Sequence, residues 1–168
     1  MKKMIALEFQ QRNFTIKSFA EHFVENIKIN CVIKPLQSIY SKRFYEDKLM
    51  QMRNLPSNTI GNDLAKMLDE NSLKLIPKFE SHDLKHLILG YSMTAQEEIK
   101  MQAYLLGNGS RKFSCVLFLL SGILFPSMWK QYYQEYTKGK SAPSIIQLSI
   151  EDCMELPTND MRKKYKIS

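Results

Sequence analysis

The chain has 168 residues, with 44% apolar and 24% charged side chains and only six Gly and six Pro, which is the balance of one folded domain and not of a disordered tail. Its net charge of +7 comes from lysines spread along the chain, with one concentration at Arg162, Lys163, Lys164 and Lys166. No basic stripe interleaved with aromatics accompanies that charge, which argues against a nucleic-acid reader and leaves attraction to an anionic membrane surface as its better use.

Taken in order, the first apolar run stops after Leu7, too short for a signal peptide. In residues 15–29, Ile16, Phe19, Phe23, Val24 and Ile27 recur at helical spacing, and Leu36, Ile39, Tyr40, Phe44 and Leu49 repeat the pattern in 32–52, predicting two amphipathic helices. The breaker around Pro56 separates them from a third helix, which starts at Thr59, carries Ile60, Leu64, Met67 and Leu68, and ends at Asn71 and Ser72. Ser81 is placed to cap the next helix, Asp83 falls in its first turn near the positive end of the dipole, and Gly90 closes it. Thr94 and Glu97 have the spacing of a capping box, starting a helix that runs to about Leu106.

After the turn at Gly107 to Ser110, residues 112–137 read as one long helix, apolar on nearly all sides in its first half, as suits a helix in the middle of a fold. Pro126 should kink or break it, and Trp129, Tyr132, Tyr133 and Tyr136 make an aromatic face beyond. The apolar run 113–125 is short of the roughly 20 residues that span a bilayer. A β-branched connector at 143–150, a short helix at 150–155 and a last helix at 158–165, capped by Thr158 or Asn159, complete the chain. With no hairpin signal, the fold class is all-α, a single-domain helical bundle over residues 1–168. Cys31, Cys115 and Cys153 are odd in number and lack a C-x-x-C spacing, so a reducing, cytoplasmic location is expected, with contact at the inner face of a membrane.

Two of the three histidines fall in one pattern: His82, Asp83, His86 and, after eleven further residues, Glu98. Positions three and four apart share a helix face, so His82, Asp83 and His86 can converge, and Glu98 needs only a turn to join them. Glu97 is claimed by the capping box, whereas Glu98 is not. Imidazole and carboxylate together suit a divalent metal, zinc first, then manganese, iron or magnesium. Leu84 and Ile88 supply an apolar opposite face. A zincin would need glutamate where Asp83 stands. An HD-type phosphohydrolase would need an upstream histidine, for which only His22 is available, and His22 reads as a solvated or core-edge residue.

The run His82, Asp83, x, x, His86, x11, Glu98 resembles the signature of the Coq-four family of ubiquinone (coenzyme Q) biosynthesis proteins. The segment Leu55-Pro-Ser-Asn-Thr-Ile-Gly61, and Gly139, Pro157, Met161 and Arg162 near the C-terminus, also resemble that family, so the likeness covers about 55–168 and leaves 1–54 as an unassigned helical part. Between the histidines, where the family carries aromatics, this chain has Leu84 and Lys85. The resemblance implies an all-α fold, a metal at His82, Asp83, His86 and Glu98, an apolar groove for a prenyl tail, and work on a prenylated quinone precursor at a membrane surface. The reaction it implies is oxidative decarboxylation, beside an organising role among other biosynthetic proteins. Two alternatives accompany it: a non-catalytic scaffold that binds a prenylated or isoprenoid lipid around a structural metal, as a monomer or homo-oligomer, and an HD-like phosphohydrolase. The groove is expected between the metal helix and the 113–125 segment.

Overall fold

A computed structural model describes residues 18–19, 21–26, 42–76 and 79–167. These are all-α: helices α1 (Lys42–Arg53), α2 (Ile60–Glu70), α3 (Glu80–Leu89), α4 (Ala95–Gly107), α5 (Phe113–Ser121), α6 (Trp129–Ser141) and α7 (Thr158–Lys164), with two short 3-10 turns between α5 and α6. Of the expected helix 15–29, the described residues are helical, with Val24 buried but Phe19 and Phe23 exposed. The expected helix 32–52 is described from Lys42 onward, and the rest of both lies outside the described residues.

α2 starts as its sequence requires, with the Thr59 side chain accepting from the Asn62 amide. Two further amides of its first turn are taken by a distant loop: Ile60 donates to the Leu156 carbonyl (2.9 Å) and Gly61 to that of Met154 (2.8 Å). The expected helix at 150–155 is instead a run of turns, with the Met154 carbonyl and, just beyond it, that of Leu156 directed at α2. The last helix is capped from Pro157, because Thr158 directs its hydroxyl to Asp63 (2.5 Å) instead.

α4 is the centre of the second half of the molecule, packed between α5 and α6. At its crossing with α6 the backbones nearly touch: a Cβ on Gly139 would lie 2.0 Å from the Tyr104 carbonyl oxygen, and one on Gly107 2.0 Å from that of Tyr136. Asn108 seals this crossing, donating to the carbonyls of Gly139, Ala142 and Pro143 and accepting from the Ile145 amide.

The long helix expected over 112–137 is instead broken, with a bend of 111° around Pro126. The indole of Trp129 clamps the corner by donating to the Gly122 carbonyl (3.0 Å). The first half is not buried on all sides either. Cys115, Phe118 and Ser121 face inward, while Phe113, Val116, Leu120 and Ile123 form an exposed row at helical spacing. α5 packs on the outside of α4, and among the described residues the row turns away from that contact. Trp129, Tyr132, Tyr133 and Tyr136 keep the spacing of one side of α6, with Tyr132 buried and Trp129 and Tyr133 exposed. Among the described residues no single helix is long and apolar enough to cross a membrane.

Candidate metal centre

α3 is held on three sides. Leu84 and Ile88, one turn apart, are fully buried in the cluster that α1, α2 and the C-terminal tail share. Arg162 of α7 donates to the Leu87 carbonyl (2.9 Å), tying down the last turn. Gly90 then ends the helix in the left-handed region (φ 77°), as its sequence position implies. The N-terminus differs from expectation: the cap is Phe79, two residues ahead of Ser81, because the Phe79 carbonyl takes the His82 and Asp83 amides. Phe79 also stacks on the His82 ring, with centroids 4.1 Å apart.

α4 begins at the expected cap, with Thr94 accepting from the Glu97 amide. The Glu97 carboxylate is found 2.6 Å from Lys100 Nζ, leaving Glu98 as the acidic side chain that turns inward. Ligand atoms of His82, His86 and Glu98 all lie within 4.8 Å of one another. His82 Nε2 is 3.0 Å from Glu98 Oε1, and His86 Nε2 is 3.0 Å from Glu98 Oε2. Asp83 is not in this trio. Its carboxylate sits 3.5 Å from Nδ1, the other ring nitrogen of His82.

The outer nitrogens decide what the centre is suited to hold. His86 Nδ1 lies 3.1 Å from the Tyr91 carbonyl oxygen, which can only accept, so that nitrogen carries the proton. His82 Nδ1 faces the Asp83 carboxylate in the same sense. Both Nε2 atoms are therefore left as lone pairs in the neutral rings, and both point at a carboxylate, which is also an acceptor. Acceptor against acceptor is repulsive unless positive charge lies between them, supplied by protons on the rings or by a metal ion. Carboxylate or carbonyl on the far nitrogen and a carboxylate beside the near one is the arrangement that orients imidazoles toward a metal. Gln102, one turn along α4, completes the support by donating to Glu98 Oε1 (2.7 Å).

Electrostatics agree. Burial opposes charge on His82, yet Glu98 and Asp83 outweigh it and push the ring up to about 9. Burial likewise works against the Glu98 charge, but His82 and His86 hold its carboxyl well below the usual carboxylate range. His86 and Glu98 side chains are sealed, at 0% and 1% exposure, while His82 keeps 15%, so of the three it is His82 that reaches solvent.

Of the four residues that the sequence singles out, the structure brings three together and sets the fourth, Asp83, behind His82. His22 is exposed and does not join them. Gln102 and Tyr91 are additions. Gln102 was readable as the i+4 neighbour of Glu98, whereas Tyr91 contributes a backbone carbonyl, which leaves no side-chain signal. Lys85, between the histidines, is also buried; burial and the nearby Lys112 lower its ammonium to about 8.

A cleft of about 540 Å³ adjoins the centre through Tyr91, and it is lined by Leu89, Lys100, Tyr104, Glu135, Lys138 and Lys166 among others. It runs between the end of α3, α4, α6 and the C-terminal tail, so none of 113–125 lines it.

No family model matches the chain, and no curated protein matches it. A solved structure does: the crystal structure named "Putative ubiquinone biosynthesis protein" from Nostoc punctiforme is similar over 99% of this chain and 94% of that one, with a TM-score of 0.58 and 16% identity. At that identity the likeness is one of fold.

Proposed function

We propose that this chain is a metal-binding protein of ubiquinone biosynthesis, similar to the Coq-four family, that acts on a prenylated quinone precursor or organises its processing. The observation that carries the metal part is the acceptor-lined trio: two imidazoles whose far nitrogens are taken and a buried carboxylate between their near ones. The pathway part is supported by the fold likeness to a protein of that name together with the spacing of His82, Asp83, His86 and Glu98.

His82, His86 and Glu98 would hold the ion, with zinc the best match to two nitrogens and an oxygen. When bound, such an ion supplies Lewis acidity toward a ring carboxylate or a water. The chain's own contribution is positional. Asp83 and the Tyr91 carbonyl fix the two rings, Gln102 steadies Glu98, and Phe79 stacks on the one ring that reaches solvent. A ligand therefore meets the centre on the His82 side. The exposed row Phe113, Val116, Leu120 and Ile123, bordered by Arg111 and Lys112, offers an apolar surface for a prenyl chain or a bilayer.

The near-complete burial of His86 and Glu98 supports a second reading, in which the metal is structural and the chain is a scaffold for the prenylated lipid. One experiment addresses both. Zinc-loaded wild type and His86→Ala are incubated with a prenylated hydroxybenzoate, and loss of the carboxyl group is followed by mass spectrometry. Metal-dependent loss in wild type alone supports catalysis. Stoichiometric zinc with no turnover favours the scaffold, and wild type without bound zinc overturns the metal reading.

A further inference from the structure

The cleft beside Tyr91 is lined by more donors than its acidic side chains engage. Lys100 lies 2.6 Å from the Glu97 carboxylate, and each oxygen of Glu135 has a donor, Lys138 on Oε1 (2.7 Å) and the Tyr91 hydroxyl on Oε2 (2.6 Å). Two lining donors are left over. Tyr104 is 5% exposed, and its hydroxyl, closed off from bulk water, has no hydrogen-bond partner among the described residues. Burial and the nearby Glu135 raise its pKa, so the hydroxyl keeps its proton and is a donor at neutral pH. Folded proteins seldom leave such a group without a water, ion or ligand to meet it. The second is Lys166, which has no carboxylate partner among the described residues. Its backbone closes α7 in the left-handed region (φ 55°), the Lys166 amide donating to the Lys163 carbonyl and that of Ile167 to Arg162, a cap geometry that favours glycine. A lysine here forgoes that ease and sets its side chain on the cleft wall.

We propose that this cleft binds a small organic acid, carboxylate or phosphate ester, whose charged oxygens accept from the Tyr104 hydroxyl and pair with Lys166. Glu97 and Glu135 already have donors of their own, so a further acceptor has to come with the ligand. A volume of about 540 Å³ suits a ring-sized molecule better than a bare ion, and Tyr91, Tyr104, Leu89 and Ile167 give such a ring an apolar wall. The acid reaches the hydroxyl by moving a flexible lysine stem aside. None of His82, His86 and Glu98 lines the cleft, so the site is separate from the trio and binds with or without zinc.

The test is isothermal titration of chelator-treated and zinc-loaded full-length protein with three probes: benzoate, phenyl phosphate and the neutral benzamide. At least one acid is expected to bind wild type about tenfold or more tightly than benzamide in both preparations, and which one it is tells a carboxylate from a phosphate ester. Tyr104→Phe and Lys166→Gly should each weaken that acid about fivefold or more while leaving benzamide unchanged. Both variants should melt about as high as wild type without ligand, since one removes a hydroxyl that has no partner and the other suits the left-handed backbone, so lost binding is not lost folding. An acid bound equally well by wild type and both variants, no acid preferred over benzamide, or a preference seen only in the zinc-loaded protein would overturn the proposal, the last by placing the acid on the metal.

Discussion

Neighbouring glutamates make opposite predictions. Glu97 pairs with Lys100 at the partly exposed start of α4, whereas Glu98 is buried against both imidazoles. Glu97→Gln should change zinc affinity less than about threefold, the scale of a surface ion pair. Glu98→Gln removes a charged donor and should weaken it more than about 100-fold. Competition titration against a chelating dye measures both, and equal losses would refute the division of roles. The pH dependence follows from His82, which is held at about 9 in the folded protein against 6.5 ordinarily. A raised value means that the folded metal-free protein keeps this proton more tightly than the unfolded chain does. Its contribution to stability is then complete below about pH 6.5 and is lost as pH rises through about 9. Zinc competes with the same proton, so its apparent affinity should climb over that interval while the metal-free melting temperature falls. Asp83→Asn removes one of the two carboxylates that hold the proton. It should shift the His82 titration seen by NMR downward, and an unmoved curve would show that Asp83 does not act on the ring.

Between elements, the tightest constraint is the α4–α6 crossing, where Gly139 meets the Tyr104 carbonyl with no room for a methyl group. Gly139→Ala should cost about 3 kcal/mol by forcing the helices apart, while Lys140→Ala on the exposed side should stay within about 0.5 kcal/mol. Urea denaturation of both variants decides the matter. This crossing also shows where sequence reading stops. Periodicity locates α2, α3 and α4 because each carries an apolar face and a local start or stop signal: Thr59, Gly90 and Thr94 act where their types imply. The His82, His86 and Glu98 trio was legible from spacing on α3 and from the cap at Thr94, although the Glu97 carboxylate goes to Lys100 and not, as the capping box implies, back to the cap amide. What was not legible depends on distant backbone. The 150–155 turns send the Met154 carbonyl to α2, and Phe79 rather than a serine starts α3 through its carbonyl. Composition likewise misplaced α5. An all-round apolar helix reads as central, but here the surplus apolar side faces outward.

For the whole molecule, that outward face is the feature a freely dissolved protein has least use for. Phe113 is 79% exposed, Leu120 58% and Ile123 64%, in a row on one side of α5, with Arg111 and Lys112 exposed at its head and a net charge of +7 behind it. Apolar rows rimmed by cations adsorb to anionic bilayers, the apolar part entering the acyl boundary and each nearby lysine or arginine adding about 1 kcal/mol. The protein should therefore sediment with vesicles containing anionic lipid more than with neutral ones, and added salt should reduce only the electrostatic share. Leu120→Glu with Ile123→Glu places two charges in the row without touching the core, so circular dichroism and zinc content should not change. Vesicle binding should fall about tenfold or more, the scale of one large apolar side chain withheld from lipid. Wild-type binding by this double variant would mean that the row faces another occupant. A prenylated quinone precursor offers an independent measure, since a bound tail should raise the melting temperature in proportion to its concentration while the tail-less head group does so far less. Equal stabilisation by both compounds would place recognition wholly in the head group and remove α5 from ligand binding.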